Sequence, residues 1–186
     1  RPDGDAVGSV LGLGLSLQSA GKDVQMILQD GVPAKFNHLP GCDQISHSIN
    51  SDFDLSIIVD CGDVSRIGAI LNSVPGINID HHITNTRYAN LNYVSPESVS
   101  TTAMLAEHLE DWDLPLTKAV AEALLSGLIT DSLGFRTSNM SPQALRIAAM
   151  LMEKGADLVS LYNQALAQRP INAIRLWGFG LNKLEC

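Results

Sequence analysis

Four stretches of this chain carry side chains able to do chemistry together: Asp3 and Asp5 around Gly4, Asp60 behind a run of branched apolar residues, the triplet Asp80-His81-His82, and Asp131. Carboxylates gathered at one place repel and raise one another's pKa unless cations neutralise them. Mixed oxygen and imidazole donors suit Mn²⁺ or Mg²⁺ better than the thiolate-seeking metals. The three cysteines, Cys42, Cys61 and Cys186, lie far apart without CxxC spacing, so neither a disulfide framework nor a structural zinc is expected. Singly, each candidate has a plainer reading. Asp3, Asp5 and Asp63 belong to a residue type common in turns and at helix N-caps, and Asp5 is placed to cap a helix that follows it. His81 and His82 by themselves read as a solvated pair. His38, His47 and His108 stand outside any such ordered group of candidates and are expected at the surface, and Cys61 reads as a small packed residue rather than a nucleophile.

The elements that would position these groups decide between the readings. Ala6 to Ala20 carries small and apolar residues at helical spacing and stops at Gly21. Val24 to Leu28 reads as a short strand. Leu55 to Val59 reads as a second, nearly continuous in apolar character, as suits a strand covered on both faces. A short helix is expected from Val64 to Leu71 with Asp63 as its cap, and a third strand from Gly76 to Ile79 runs straight into Asp80. This alternation implies an α/β fold: a Rossmann-like parallel sheet flanked by helices. From Ser100 the pattern is helical, over 101–109, 116–129, 142–154 and 158–167, with Pro115, Gly155 and Pro170 as punctuation and a last helix over 171–186. In open parallel sheets, ligands bind beyond the carboxyl ends of the strands. Asp60 and Asp80-His81 end two strands. Asp3 and Asp5 lie where a strand ahead of Arg1 would deliver the chain to the first helix, and Asp131 follows an apolar helix and precedes the loop-forming Ser132 to Arg136. The candidates therefore converge on one edge.

Composition narrows the function classes. A chain of 186 residues, 45% of them apolar, suits one well-packed domain, or one domain with a small appendage, rather than two full domains. A net charge of -8 provides no basic field for a long duplex, so duplex DNA is not an expected partner. No stretch reaches the ~18 to 20 apolar residues of a membrane span, and no signal peptide is visible, which points to a cytoplasmic protein with no membrane partner. The opening Arg1-Pro2-Asp3-Gly4-Asp5 lacks a methionine and reads as the loop after a strand, so an N-terminal truncation is expected.

In order along the chain, Arg1-Pro2-Asp3-Gly4-Asp5-Ala6-Val7-Gly8-Ser9, Val59-Asp60-Cys61-Gly62-Asp63, Asp80-His81-His82 and Thr130-Asp131-Ser132 resemble the motifs of the DHH phosphoesterases. Within that family, 131–139 and the helical tail are similar to bacterial oligoribonucleases, the nanoRNases, that also dephosphorylate 3'-phosphoadenosine 5'-phosphate. The resemblance implies two Mn²⁺ ions, with Mg²⁺ an alternative, one held by Asp3 and the other by Asp5, His81 and Asp131, with Asp60 bridging. Two such cations activate a water for in-line attack on phosphorus. Asp80 would orient an imidazole from behind and His82 would face the substrate phosphate. Ser100 and Thr101, at a helix start, would offer backbone N–H groups to an anion. Arg136 would clamp a phosphate or, on the plainer reading, make a structural ion pair. The implied substrate is a short single-stranded RNA or a nucleotide, and a homodimer is an assembly it allows.

Members of that family also carry a histidine shortly before the position of Asp3, and a second domain with a glycine-rich basic loop. Residues 1–169 accordingly read as a DHH catalytic domain missing its first strand, and 170–186 as a linker helix toward an absent C-terminal substrate-binding domain. The expectation is a folded protein of low activity or none. Alternatives are a non-catalytic metal- or nucleotide-binding module, a cyclic-dinucleotide phosphodiesterase and an inorganic pyrophosphatase of the same family.

Overall fold

A computed structural model describes residues 2–67, 70–71, 73–167 and 171–183. Its first element is helix α1 (Gly4–Ser19), whose N-cap is Asp3 rather than Asp5: the Asp3 carboxylate accepts the Asp5 and Ala6 amides at 3.1 and 3.0 Å. The cap lies one residue before Gly4, which leaves Asp5 inside the first turn and free to point elsewhere. The helix stops at Gly21, whose φ of 79° ends the right-handed path cheaply only for glycine.

Three parallel strands follow, β1 (Ile57–Val59), β2 (Ile77–Asp80) and β3 (Leu91–Val94), in the spatial order β1-β2-β3. Ile79 pairs with Val59 on one side and Tyr93 on the other, so Asp60 and Asp80 emerge at the same sheet edge. β3 was not expected from the sequence, because four residues interrupted by Asn92 are too few to show a period; Asn92 turns back onto the Ala89 backbone instead. Val24–Leu28 is a correction in the other direction. It forms no strand, making only an isolated bridge from Ile27 to Ser46. It lines a groove of about 640 Å³ together with β1 instead of pairing with it. The helix expected over Val64–Leu71 is a 3₁₀ turn at Val64–Ile67, and Gly68 and Ala69 lie outside the described residues. Asp63 caps it as expected, its carboxylate accepting the Ser65 amide at 2.7 Å.

The second half is helical: α2 (Thr101–His108), α3 (Lys118–Asp131), α4 (Pro142–Glu153) and α5 (Leu158–Tyr162), the last passing into a π-helical turn over Asn163–Ala167. α3 is the centre of the core, with Val120, Leu124, Leu125, Leu128 and Ile129 wholly buried. Each such side chain is stabilising by ~1.5–3 kcal/mol relative to exposure. α1 lies almost backbone to backbone on α3, since a Cβ added to Gly8 would stand 2.6 Å from the Ala123 carbonyl oxygen. α4 buries Ala144, Ile147, Ala148 and Leu151, the stripe of an amphipathic helix. The final helix, α6 (Ile171–Leu181), buries no residue. The expected division at 169/170 and the last three residues lie outside the described part. No helix among the described residues is long and apolar enough to cross a membrane.

Candidate metal centre

Helix α1 sends Asp5 against the start of α2. Asp5 Oδ2 accepts the Thr101 amide at 2.7 Å, and Oδ1 accepts the Thr102 amide at 2.9 Å and the Thr102 hydroxyl at 2.6 Å. A helix N-terminus carries free N–H groups and a positive dipole end, so a carboxylate is a fitting occupant. This corrects the expectation for Ser100 and Thr101. The anion at the start of α2 is Asp5 itself; the Ser100 hydroxyl caps the helix through the Ala103 amide, and both residues are fully buried. The Thr101 hydroxyl instead donates to Asp60 Oδ1 at 3.1 Å.

Asp60 takes a left-handed φ of 54°, a conformation that aspartate tolerates better than most residues, while its amide still donates to Ile79 at 3.0 Å. The strand thus ends in a sharp turn that directs the carboxylate inward. One strand over, the triplet separates into three environments. Asp80 is fully buried, and its Oδ1 accepts the His81 amide at 2.9 Å and His82 Nδ1 at 2.7 Å. The imidazole that Asp80 orients is therefore that of His82. His81 turns its Nδ1 to the Ser98 carbonyl at 3.4 Å. That directs His81 Nε2 into a ring of carboxylates: 3.7 Å to Asp5, 3.8 Å to Asp60 and 3.8 Å to Asp131.

Asp131 is the last residue of α3. The chain then makes three successive left-handed residues, Leu133, Gly134 and Phe135, at φ of 49°, 72° and 66°. Buried Ser132 supports this turn, donating to the Leu128 carbonyl at 2.6 Å and accepting the Phe135 amide at 3.0 Å. Arg136 is exposed and folds back on its own turn, with Nε donating to the Leu133 carbonyl at 2.8 Å.

Two overlapping donor groups result, Asp5 with His81 and Asp131, and Asp60 with His81 and His82, each with its ligand atoms within 4.8 Å of one another. Asp3 stands outside both, exposed and with one oxygen engaged at the cap. The electrostatics suit cations. Burial, then the charges of Asp5 and Asp3, push the Asp60 carboxyl up to about 10. Asp131 is pushed up to about 6, chiefly by burial and by Asp5, with the histidines pulling the other way. Oxygen and imidazole donors in this proportion fit a hard or borderline divalent ion such as Mn²⁺ or Mg²⁺.

A profile described as the DHH family, N-terminal domain, matches residues 1–128. This chain belongs to the DHH family. It is 32% identical over 179 residues, 95% of its length and 54% of the relative's, to the bifunctional oligoribonuclease and PAP phosphatase NrnA of Thermus thermophilus. It is 26% identical over 188 residues to the protein of the same description in Bacillus subtilis, covering 96% of this chain and 58% of that one. The chain thus spans little more than half the length of these relatives. Among solved structures, an exopolyphosphatase-related protein from Bacteroides fragilis superimposes with a TM-score of 0.85 at 26% identity, over 100% of this chain and 59% of that one. A putative family II inorganic pyrophosphatase from Methanococcus jannaschii, at 18% identity and a TM-score of 0.52 over 88% of this chain and 57% of that one, shares the fold.

Several residues of this DHH chain that support the centre were not singled out in its sequence. Thr102 and Ser98 hold Asp5 and His81; Asn85, Asn78 and Tyr88 stand behind Asp80. The one signal available was Asn78, a polar residue inside an apolar strand. Cys42 and Cys61 are free thiols, and Cys186 lies outside the described residues. His38 and His47 are exposed as expected, but His108 is not a lone surface residue: it is half-buried, stacks on Trp112, and its Nε2 meets the Tyr93 hydroxyl at 2.6 Å.

Proposed function

We propose that this chain is the metal-binding part of a phosphoesterase acting on short oligoribonucleotides, on 3'-phosphoadenosine 5'-phosphate, or on both. The observation that carries the reading is the placement of His81 Nε2 at 3.7 to 3.8 Å from three carboxylates on three different elements. Such an assembly is costly without a counter-charge. Asp5, His81 and Asp131 would hold one ion. Asp60, within 3.8 Å of His81 and 3.7 Å of His82, would be shared with a second ion, to which Asp3 could lend its free oxygen. Bound Mn²⁺ or Mg²⁺ would lower the pKa of an attacking water and neutralise the phosphoryl oxygens.

The remaining work falls to the protein. Asp80 fixes the His82 ring through Nδ1, so that Nε2 faces outward from a side chain 37% exposed and can meet a phosphate oxygen. Thr101 and Thr102 keep Asp60 and Asp5 in place before substrate arrives, so little reorganisation is needed. The water oxygen would bond to phosphorus as the ester P–O bond breaks on the opposite side, the water giving up one proton and the leaving oxygen taking one up. The choice of nucleotide substrates rests on the NrnA relatives.

The test is a panel with Mn²⁺: 3'-phosphoadenosine 5'-phosphate, a diribonucleotide, cyclic di-AMP and pyrophosphate, with and without a chelator. Release of phosphate or mononucleotide from the first two, lost on chelation, is expected. Turnover of pyrophosphate alone would rule out the proposed substrates.

A further inference from the structure

Behind the metal-facing residues lies a polar cluster that the proposed chemistry leaves unused. Asn85 is its hub. Its Nδ2 donates to Asp80 Oδ2 at 2.5 Å and to the Cys61 carbonyl at 3.2 Å; its Oδ1 accepts the Arg87 amide at 2.7 Å and Asn78 Nδ2 at 3.1 Å. A side-chain amide has two donor hydrogens and two acceptor lone pairs, and all four are engaged. The Tyr88 hydroxyl lies 2.9 Å from the same Cys61 carbonyl and 3.3 Å from Asn78 Oδ1, while Asn78 itself is wholly buried within β2. The cluster thus ties together two things that the sheet alone leaves separate: the left-handed turn at Asp60, gripped through the next carbonyl, and the carboxylate that holds His82.

We propose that Asn85 is a positioning residue, with Asn78 and Tyr88 as its supports, that sets the Asp60 turn and the Asp80–His82 pair as one rigid unit facing the substrate. Asp80 accepts three hydrogen bonds, from the His81 amide, His82 Nδ1 and Asn85. With Nδ1 turned to Asp80 Oδ1, the ring presents Nε2 as its other nitrogen, and the carboxylate serves as the acceptor that selects the Nδ1–H tautomer. Without Asn85, Asp80 Oδ2 would be a buried acceptor lacking its partner, and the carboxylate would be held through Oδ1 alone. The His82 ring would be less firmly directed. Aspartate at this position would set oxygen against oxygen at Asp80 Oδ2, so the role calls for the amide.

The kinetic arm of the test rests on the phosphoesterase reading; the spectroscopic arm does not. Asn85→Ala is expected to lower kcat ~10- to 100-fold, the range for groups that orient a site residue from behind. KM should rise by a smaller factor than kcat falls, since the His82 contact to the phosphate matters most where charge builds up in the transition state. In nitrogen-15 NMR of the metal-free, histidine-labelled protein, His82 should pass from a single Nδ1–H tautomer to a mixture. A change in packing alone would not move that signal. Should Asn85→Ala fail to fold, Tyr88→Phe removes one hydroxyl, keeps the ring, and should move both readouts in the same direction by less. An unchanged His82 tautomer in the folded variant, or wild-type kcat, overturns the proposal. If the wild-type protein hydrolyses nothing in the panel, the phosphoesterase reading falls, and the tautomer still decides the role of Asn85.

Discussion

At the carboxyl edge of the sheet, Asp5, Asp60 and Asp80 are at most 7% exposed, whereas on α6 Ile171, Leu176, Phe179 and Leu181 are each more than 60% exposed. Burial is inverted in both places, charged groups inside and large apolar groups outside. The two inversions carry different information. Exposed apolar surface has a diffuse cost, ~25 cal/mol per Å², and marks a surface without specifying what meets it. A buried carboxylate has a concentrated cost that must be met atom by atom. Asp5 is met by three donors from α2 and Asp80 by three from its own loop. Asp60 is the exception, with one hydroxyl from Thr101 and a carboxyl pushed up to about 10. Of the buried acids, it is the one whose ionised form most needs a cation.

The sharpest way to break this contrast is Asp60→Asn, which keeps the shape, tolerates the left-handed φ and removes the charge. It is expected to lower Mn²⁺-dependent turnover ~10²- to 10³-fold, as for loss of a group acting at the reacting centre. Calorimetry should show fewer Mn²⁺ ions bound, while the metal-free variant melts at a higher temperature than the wild type. Wild-type turnover would end the assignment of Asp60. A lower melting temperature would show that its burial is already compensated.

A smaller effect, and one that needs no mutation, is the response to pH. Raised carboxyl pKa values mean that the metal-free native state holds protons which the unfolded chain releases near 3.8. Stability from these groups is therefore greatest at low pH. It falls as pH rises through about 6 for Asp131 and on toward about 10 for Asp60. The metal-free melting temperature should decline between about pH 5 and about pH 9, and Mn²⁺ should raise it more at the upper end, because cations replace the protons. A metal-free curve that climbs over this interval would contradict the electrostatic account.

The sequence was legible where a residue type and an element end coincide. Asp60, Asp80 and His81 could be placed because apolar strands run straight into them, and Asp131 because an apolar helix does. Helix boundaries were close for the same reason: α4 begins at its Ser141 cap and Pro142. What escaped was set by tertiary pairing. Val24–Leu28 has strand composition but pairs only through a single bridge to Ser46, and β3 is a strand because β2 lies beside it. The same distinction runs through the site. Ser100 and Thr101 were rightly placed at a helix start, but which anion they meet depends on α1 delivering Asp5 there, a contact between residues 96 positions apart. Asn85 and Tyr88 are ordinary loop residues in the sequence; only the closeness of the β1 and β2 ends makes them supports.

The smallest expected effect tests the other half of the contrast. Leucine and lysine have similar helix propensity, so Leu176→Lys on α6 changes exposed apolar surface and little else. Because Leu176 is 69% exposed, the free energy of unfolding should stay within about 0.5 kcal/mol of wild type, measured by urea denaturation at low protein concentration. A loss of more than about 1 kcal/mol would mean that this face packs against something in solution, since surface substitutions that remove no packing rarely cost that much. The inversion on α6 would then resemble the one at the sheet edge, a local cost met by a definite partner. A null result at Leu176 beside a large one at Asp60 would instead confine the specific information to the buried acids.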